Sequence, residues 1–429
     1  MARDIIRWMD EVLSDRERGG FYASQDADVG MEDDGDYFTW TIEEARAVLG
    51  EDELKAAAYH YDIGEIGEMH HNPQKNVLHV RASVEEIAAR MGVPAERVRA
   101  LLASAKQKML AARLQRPTPY VDKTVYVNWN ALCVSAYLDA ARVLHLEEAR
   151  HFALRSLDRI LGEAWDPKSG LKHVVAYSDP QAEHRDVPGL LDDYAFTILA
   201  CLDAYEATAA LSYFNFARRI GDAMIKRFYD DSAGGFFDVA QTKSPPLANP
   251  AKGGAPAATI SEIGALSARR KPFQDTPTPA GNSAAAIALL RLHAYTHDES
   301  YRQKAQRTLE VFAGMAEQYG IFAGTYGIAV LQFTTPHTQV VIVGSGEQAD
   351  KLYSTAVAGF EVGKSVVRIP GENEATAPNL PPALAETIPN LPEMKAGEPA
   401  AVVCSNFTCQ PPVSDREALA VLLRPQAPA

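Results

Sequence analysis

Residues 129–144 (WNALCVSAYLDAARVL) and 147–163 (EEARHFALRSLDRILGE) read as two helices joined by a two-residue turn. The pairing recurs at 192–208 (DDYAFTILACLDAYEAT) with 212–228, and at 282–295 (NSAAAIALLRLHAY) with 301–317. The first member of each pair is apolar on most sides, whereas the second carries a single apolar stripe. Charged residues number 17 in the 51 positions of the second members and 7 in the 47 positions of the first. A helix apolar all round has to be enclosed by protein, and one with a single stripe faces water. The alternation therefore predicts inner and outer helices, a two-layered ring of hairpins.

A second motif follows the outer helices: DRERGGFY (Asp15–Tyr22), DPKSGLK (Asp166–Lys172) and DDSAGGFF (Asp230–Phe237). Glycine stops each helix, and an apolar or aromatic residue then opens a short extended stretch. The template that fits is a mainly α fold, an (α/α)6 barrel. About eight of its helices are legible: one ending near Leu13, the six above, and 321–333 (IFAGTYGIAVLQF). The expected organisation is thus an incomplete ring over residues 1–333, with a helical excursion at 83–114. Beyond it, strands at 338–343 (TQVVIV), 364–369 (KSVVRI) and 399–403, with helices at 347–359 and 414–423, predict a small α/β subdomain over 334–429. Residues 370–398 read as a surface linker, and the Pro-, Ala- and Gly-rich stretch 241–280 is long enough to cover the rim as a lid.

The composition is that of a globular protein, with 47% hydrophobic and 23% charged residues over 429 positions. A net charge of -14 has the wrong sign for a nucleic-acid partner. No apolar run is long enough for a membrane span, and the charged residues 1–14 do not read as a signal peptide, so a cytoplasmic location is expected. Four cysteines are too few for a disulfide scaffold. Cys133 and Cys201 read as buried thiols, and Cys404 and Cys409, which are not a CxxC pair, as two packed thiols, with a redox pair or a metal site as the alternatives. His70 and His71 lack a supporting ligand set, so neither a metal nor a cofactor is expected.

Seven segments in order carry a resemblance: GGFYASQDAD (Gly19–Asp28), YFTWTIEE (Tyr37–Glu44), DKTVYVNWNAL (Asp122–Leu132), LLDDYAF (Leu190–Phe196), GGFFD (Gly234–Asp238), PAGNSAAA (Pro279–Ala286) and VCSNFTCQPPVSD (Val403–Asp415). Together they resemble the thioredoxin-domain-containing protein family that includes the spermatogenesis-associated thioredoxin-like proteins. The resemblance implies a six-hairpin, glycosidase-like toroid similar to that of N-acylglucosamine epimerases, following a thioredoxin-like module. That module is absent from this sequence. Asp192 stands where the family's string has Glu.

The turns and the starts of the inner helices share one rim, the natural pocket mouth. Aromatic rings beside carboxylates and amides suit a carbohydrate ligand. Glycoside cleavage needs two carboxyl groups, for which Asp26 or Asp28 with Asp193 are the candidates. Tyr22, Trp40, Trp129, Asn130, Tyr194, Asn282 and His173 are the candidate substrate-binding residues, and His173 and His184 are also the type of base an epimerase uses. A structural reading stands beside this one. Asn128, Asp192 and Asn282 occupy positions suited to N-caps, Asp193 suits a first helical turn, Asp26 and Asp28 suit loop amides, and Trp40 and Trp129 suit anchors that pack a loop against a core. The two functional hypotheses are glycosidase- or epimerase-like acid–base chemistry, and a non-catalytic binding or scaffold domain working with a thioredoxin-like module.

Overall fold

The computed structural model describes residues 1–33, 35–182, 184, 186–240, 269–371, 375–391, 398–406 and 408–424. Most of the expected lid, residues 241–268, lies outside them. The chain divides into two compact units, Met1–Phe21 with Thr124–Ala429, and Tyr22–Lys123. The expected boundary near 333 does not coincide with this division, because the C-terminal sheet belongs to the same unit as the hairpins.

In the first unit the hairpins fall at Val127–Leu144 with Glu147–Glu163, Leu191–Thr208 with Leu211–Phe228, and Gly281–Thr296 with Glu299–Phe312. The inner helices pack side by side in chain order, and Gly324–Thr334 lies against the third as a fourth. Thirteen of the sixteen residues of the third inner helix are buried, against five of fourteen in its outer partner. That contrast is what a two-layered (α/α) toroid requires. In the first hairpin it fades, because Ser135, Asp139 and Arg142 of the inner helix line a cavity. Ala2–Val12 precedes this series and is tied to the first inner helix, since Tyr137 Oη donates to Asp10 Oδ1 at 3.1 Å.

The C-terminal sheet has the order Thr408–Cys409, Ala400–Ser405, Thr338–Val343, Lys364–Ile369. The last two strands are parallel, with the helix Glu347–Ala358 between them in sequence, and the other pairings are antiparallel. Alternation decides its faces: Val341, Val343, Val367, Ile369 and Val402 join the apolar core of the hairpins. Val340, Ile342, Val366, Ala401 and Val403 pack on Ala349, Leu352, Ala356 and Leu419.

Three expectations need correction here. Within the linker at 370–398 lies the helix Pro382–Thr387, which buries Ala383 and Leu384 and packs on the third inner helix. Cys404 and Cys409 are register partners in neighbouring antiparallel strands and are joined as a disulfide, rather than being packed thiols. Cys201 is buried as expected, whereas Cys133 is only partly so.

The second unit holds four helices, Ile42–Val48, Glu51–Tyr61, Val84–Met91 and Ala95–Arg113. Capping boxes start the first and third: Thr41 and Ser83 accept from Glu44 and Glu86 N–H, and the glutamates accept in return. The strand Ser24–Gln25 pairs with Val121–Asp122, which brings the two ends of this unit together.

Candidate functional site

The three glycine turns are built alike. In each, the leading aspartate accepts backbone N–H groups of its own turn: Asp15 from Arg18, Asp166 from Lys168 and Ser169, Asp230 from Ser232 and Ala233. Gly19, Gly20, Gly170, Gly234 and Gly235 all have φ between +75° and +116°, a region that only glycine enters without strain.

The next inner helix clasps each turn. Asn130 Oδ1 accepts from Phe21 N–H at 2.6 Å and its Nδ2 donates to Phe21 O at 3.0 Å. Asn282 repeats this with Phe236, at 2.7 and 2.9 Å. In the middle turn Tyr194 Oη accepts from Leu171 N–H at 2.9 Å. These contacts correct three site assignments, for Asn130, Tyr194 and Asn282 are buried, with polar atoms committed to backbone. They correct the cap assignments as well. The helices begin at Val127, Leu191 and Gly281, so Asn128, Asp192 and Asn282 lie inside the first turn instead of preceding it.

Trp40 is another correction. It is 3% exposed, in the core of the second unit, with the Arg116 guanidinium 4.3 Å above its ring. Asp26 and Asp28 belong to that unit too and are exposed, and Asp28 Oδ1 accepts from Gly35 N–H at 2.9 Å. Tyr22, also there, lies 5.9 Å from Lys123 Nζ.

What the first unit does bring together is His173, Asp193, Asp192 and Trp129. Asp193 is fully buried. Its Oδ1 accepts from Asn128 N–H at 3.0 Å, and its Oδ2 from Leu190 N–H at 2.7 Å. His173 Nδ1 lies 2.9 Å from the same Oδ2. Burial pushes the Asp193 carboxyl up, against the donors that hold it down, and the bond to Asp193 raises the His173 imidazole above its ordinary value. A neutral ring that donates from Nδ1 presents the lone pair of Nε2, so the buried carboxylate fixes both tautomer and direction.

Beside the pair, Asp192 is pushed up to about 6 by burial and by the neighbouring charges of Asp193 and Asp238. Gly281 makes room for it, since a Cβ there would lie 2.1 Å from Asp192 Oδ1. The His173 ring is 5.2 Å from that of Tyr126, which meets Trp129 edge to face at 5.0 Å. Trp129 is 43% exposed, an aromatic surface next to titratable groups.

The chain resembles spermatogenesis-associated protein 20. It is 29% identical to the protein of Homo sapiens over 453 residues, covering 99% of this chain and 54% of the human protein. The Mus musculus protein is 28% identical over 444 residues, covering 97% of this chain and 53% of its own length. The chain thus spans about half the length of the curated relatives it matches. No family model matches. Among solved structures it is similar to the α-1,6-mannanase GH76A of Salegentibacter sp., with 11% identity and a TM-score of 0.36, covering 77% of this chain and 79% of that one. It is also similar to cellobiose 2-epimerase from Bacillus thermoamylovorans, with 14% identity and a TM-score of 0.33, covering 45% and 46%.

Asp192, Asp238 and Tyr126 were not candidates from the sequence. A signal for Asp238 was present, because it follows Phe236 at the interval by which His173 follows Leu171. Among the described residues no three His, Cys, Asp or Glu side chains cluster to hold a metal, and no helix is long and apolar enough to cross a membrane.

Proposed function

We propose that the rim around His173 is a carbohydrate-active site performing proton transfer of the epimerase or glycosidase kind. In this reading His173 is the base, Asp193 positions it, and Asp192 is the acid that donates a proton while neutral. Trp129 supplies the stacking face for a sugar ring. The single observation that carries the reading is the 2.9 Å contact between His173 Nδ1 and the buried Asp193, with Asp192 poised at about 6 beside it. Burial keeps this carboxyl protonated to higher pH than an exposed one, which is what a general acid requires. Asp26 and Asp28 are left out of this chemistry, because they are exposed and belong to the unit Tyr22–Lys123 rather than to the one that holds His173 and Asp193.

The test is a screen of reducing mono- and disaccharides in deuterated buffer, read by NMR for deuterium entering at C2 and for glycoside cleavage. Exchange or cleavage is expected from the unaltered protein. His173→Gln should lower it by a factor of about 10² or more, and Asp192→Asn should lower it too and remove the alkaline limb of its pH profile, where the acid would lose its proton. If no sugar exchanges, is cleaved or stabilises the protein, the reading falls. The burial of Asn130, Tyr194 and Asn282 would then favour the second reading, a scaffold domain that works beside a thioredoxin-like module.

A further inference from the structure

A cavity of about 1080 Å³ opens in the first unit among the inner helices and the C-terminal sheet. It lies toward the other end of the inner helices from His173. Asp203, on its wall, follows Asp193 by ten residues, a rise of about 15 Å. Its size suits a small organic molecule.

Its walls differ in chemistry. On the inner helices, Arg291 pairs with Asp203 at 2.7 Å and with Glu206 at 2.7 Å, Tyr295 donates to Glu206, and Ser135 donates to Asp203. Asp139, also in the lining, pairs with Arg142 at 2.7 Å. These oxygens accept hydrogen bonds, and in a ligand they call for hydroxyl donors.

Cations line the cavity as well. Arg142, Arg150, Lys364 and Arg368 line it, and the fields of the three arginines all act on Tyr353. Arg150 is paired with Glu147, and Arg368 with Asp350, which is not in the lining. Lys364 gives its ammonium to the carbonyls of Ala356 and Gly359. Burial and the charge of Arg142 hold it below its usual range, against the opposing charge of Glu361. Three arginines act on one aromatic ring, Arg142 acts on Lys364 as well, and all four line the same cavity, where an anion with several acceptor oxygens suits them.

We infer that this cavity binds a small phosphorylated sugar or polyol, with its phosphate among Arg142, Arg150, Lys364 and Arg368 and its hydroxyls on Asp139 and Asp203. The site is separate from the rim of His173 and stands whether or not that rim is catalytic.

Calorimetric titration of the full chain with glucose 6-phosphate, glucose and inorganic phosphate tests it. Glucose 6-phosphate is expected to bind most tightly, and phosphate and glucose each more weakly. Arg142→Gln and Lys364→Gln should each weaken the sugar phosphate by about tenfold or more. If either cavity variant fails to fold, Arg150→Gln, which alters a pair near the surface, decides in its place. Absence of glucose 6-phosphate binding at millimolar concentration overturns the inference. Binding that survives the cavity variants, or binding of free lysine in preference to the sugar phosphate, overturns it as well.

Discussion

The first and middle glycine turns start from the same plan and end differently. Both follow an outer-layer helix, both carry a leading aspartate and a glycine at positive φ, and both are held by the next inner helix. In the first turn an asparagine makes two hydrogen bonds to Phe21, and the residue two places on is Ala23. In the middle turn a tyrosine makes one bond to Leu171, and the residue two places on is His173, directed at Asp193. The difference teaches that one rim position can be architectural in one repeat and chemically charged in the next, with the scaffold unchanged.

Gly170→Ala should strain that comparison most. At φ +88° a Cβ is unfavourable, and it would lie 2.0 Å from Tyr194 Oη. A loss of about 3 kcal/mol or more is expected in urea unfolding. A loss no greater than that of Gly234→Ala would mean the middle turn is not specially packed. Asn282→Ala comes next. It leaves the N–H and C=O of Phe236 buried without their partner, at a cost of about 2–3 kcal/mol by the same measurement. Tyr194→Phe, which removes one acceptor, should cost less.

Asp192→Asn should act in the opposite direction. The folded carboxyl is raised from 3.8 to about 6, so its favourable contribution is complete below about 4 and is lost as the pH rises through about 6. Above that, the buried charge costs on the order of 2 kcal/mol, which the amide avoids. The variant should match the parent near pH 4 and exceed it in melting temperature near pH 8.

The smallest effect belongs to His173. Its raised value means that the pairing with Asp193 stabilises fully below the ordinary histidine range and fades as the pH rises through the folded value. His173→Gln should flatten the stability–pH curve in that upper window alone. A flattening below pH 5 would assign the effect to another group.

The layered helices were legible because charge alternates between hairpin members over whole segments, a pattern that packing cannot erase. The rim chemistry was legible only in part. His173 and Asp193 were on the list, but Asp192 and Asp193 are adjacent and look interchangeable in one dimension. Neighbouring positions on a helix point about 100° apart, so one turns to His173 and the other to Gly281, 89 positions away in sequence. Trp40, Asn130 and Asn282 misled for a related reason. An aromatic ring or an amide suits a sugar and a buried backbone equally well, and only the finished packing decides between them.

Because each glycine turn is fastened by the hairpin that comes after it, no repeat closes on itself. Arg159 of the first hairpin donates to Gly19 O, and Arg227 of the second to Lys168 O, so the fastening runs along the outer layer as well. Loosening one hairpin therefore unlatches the turn before it. Amide protons of Phe21, Leu171 and Phe236 should exchange with solvent in step with the helices downstream of them, a domino order imprinted on the protection pattern.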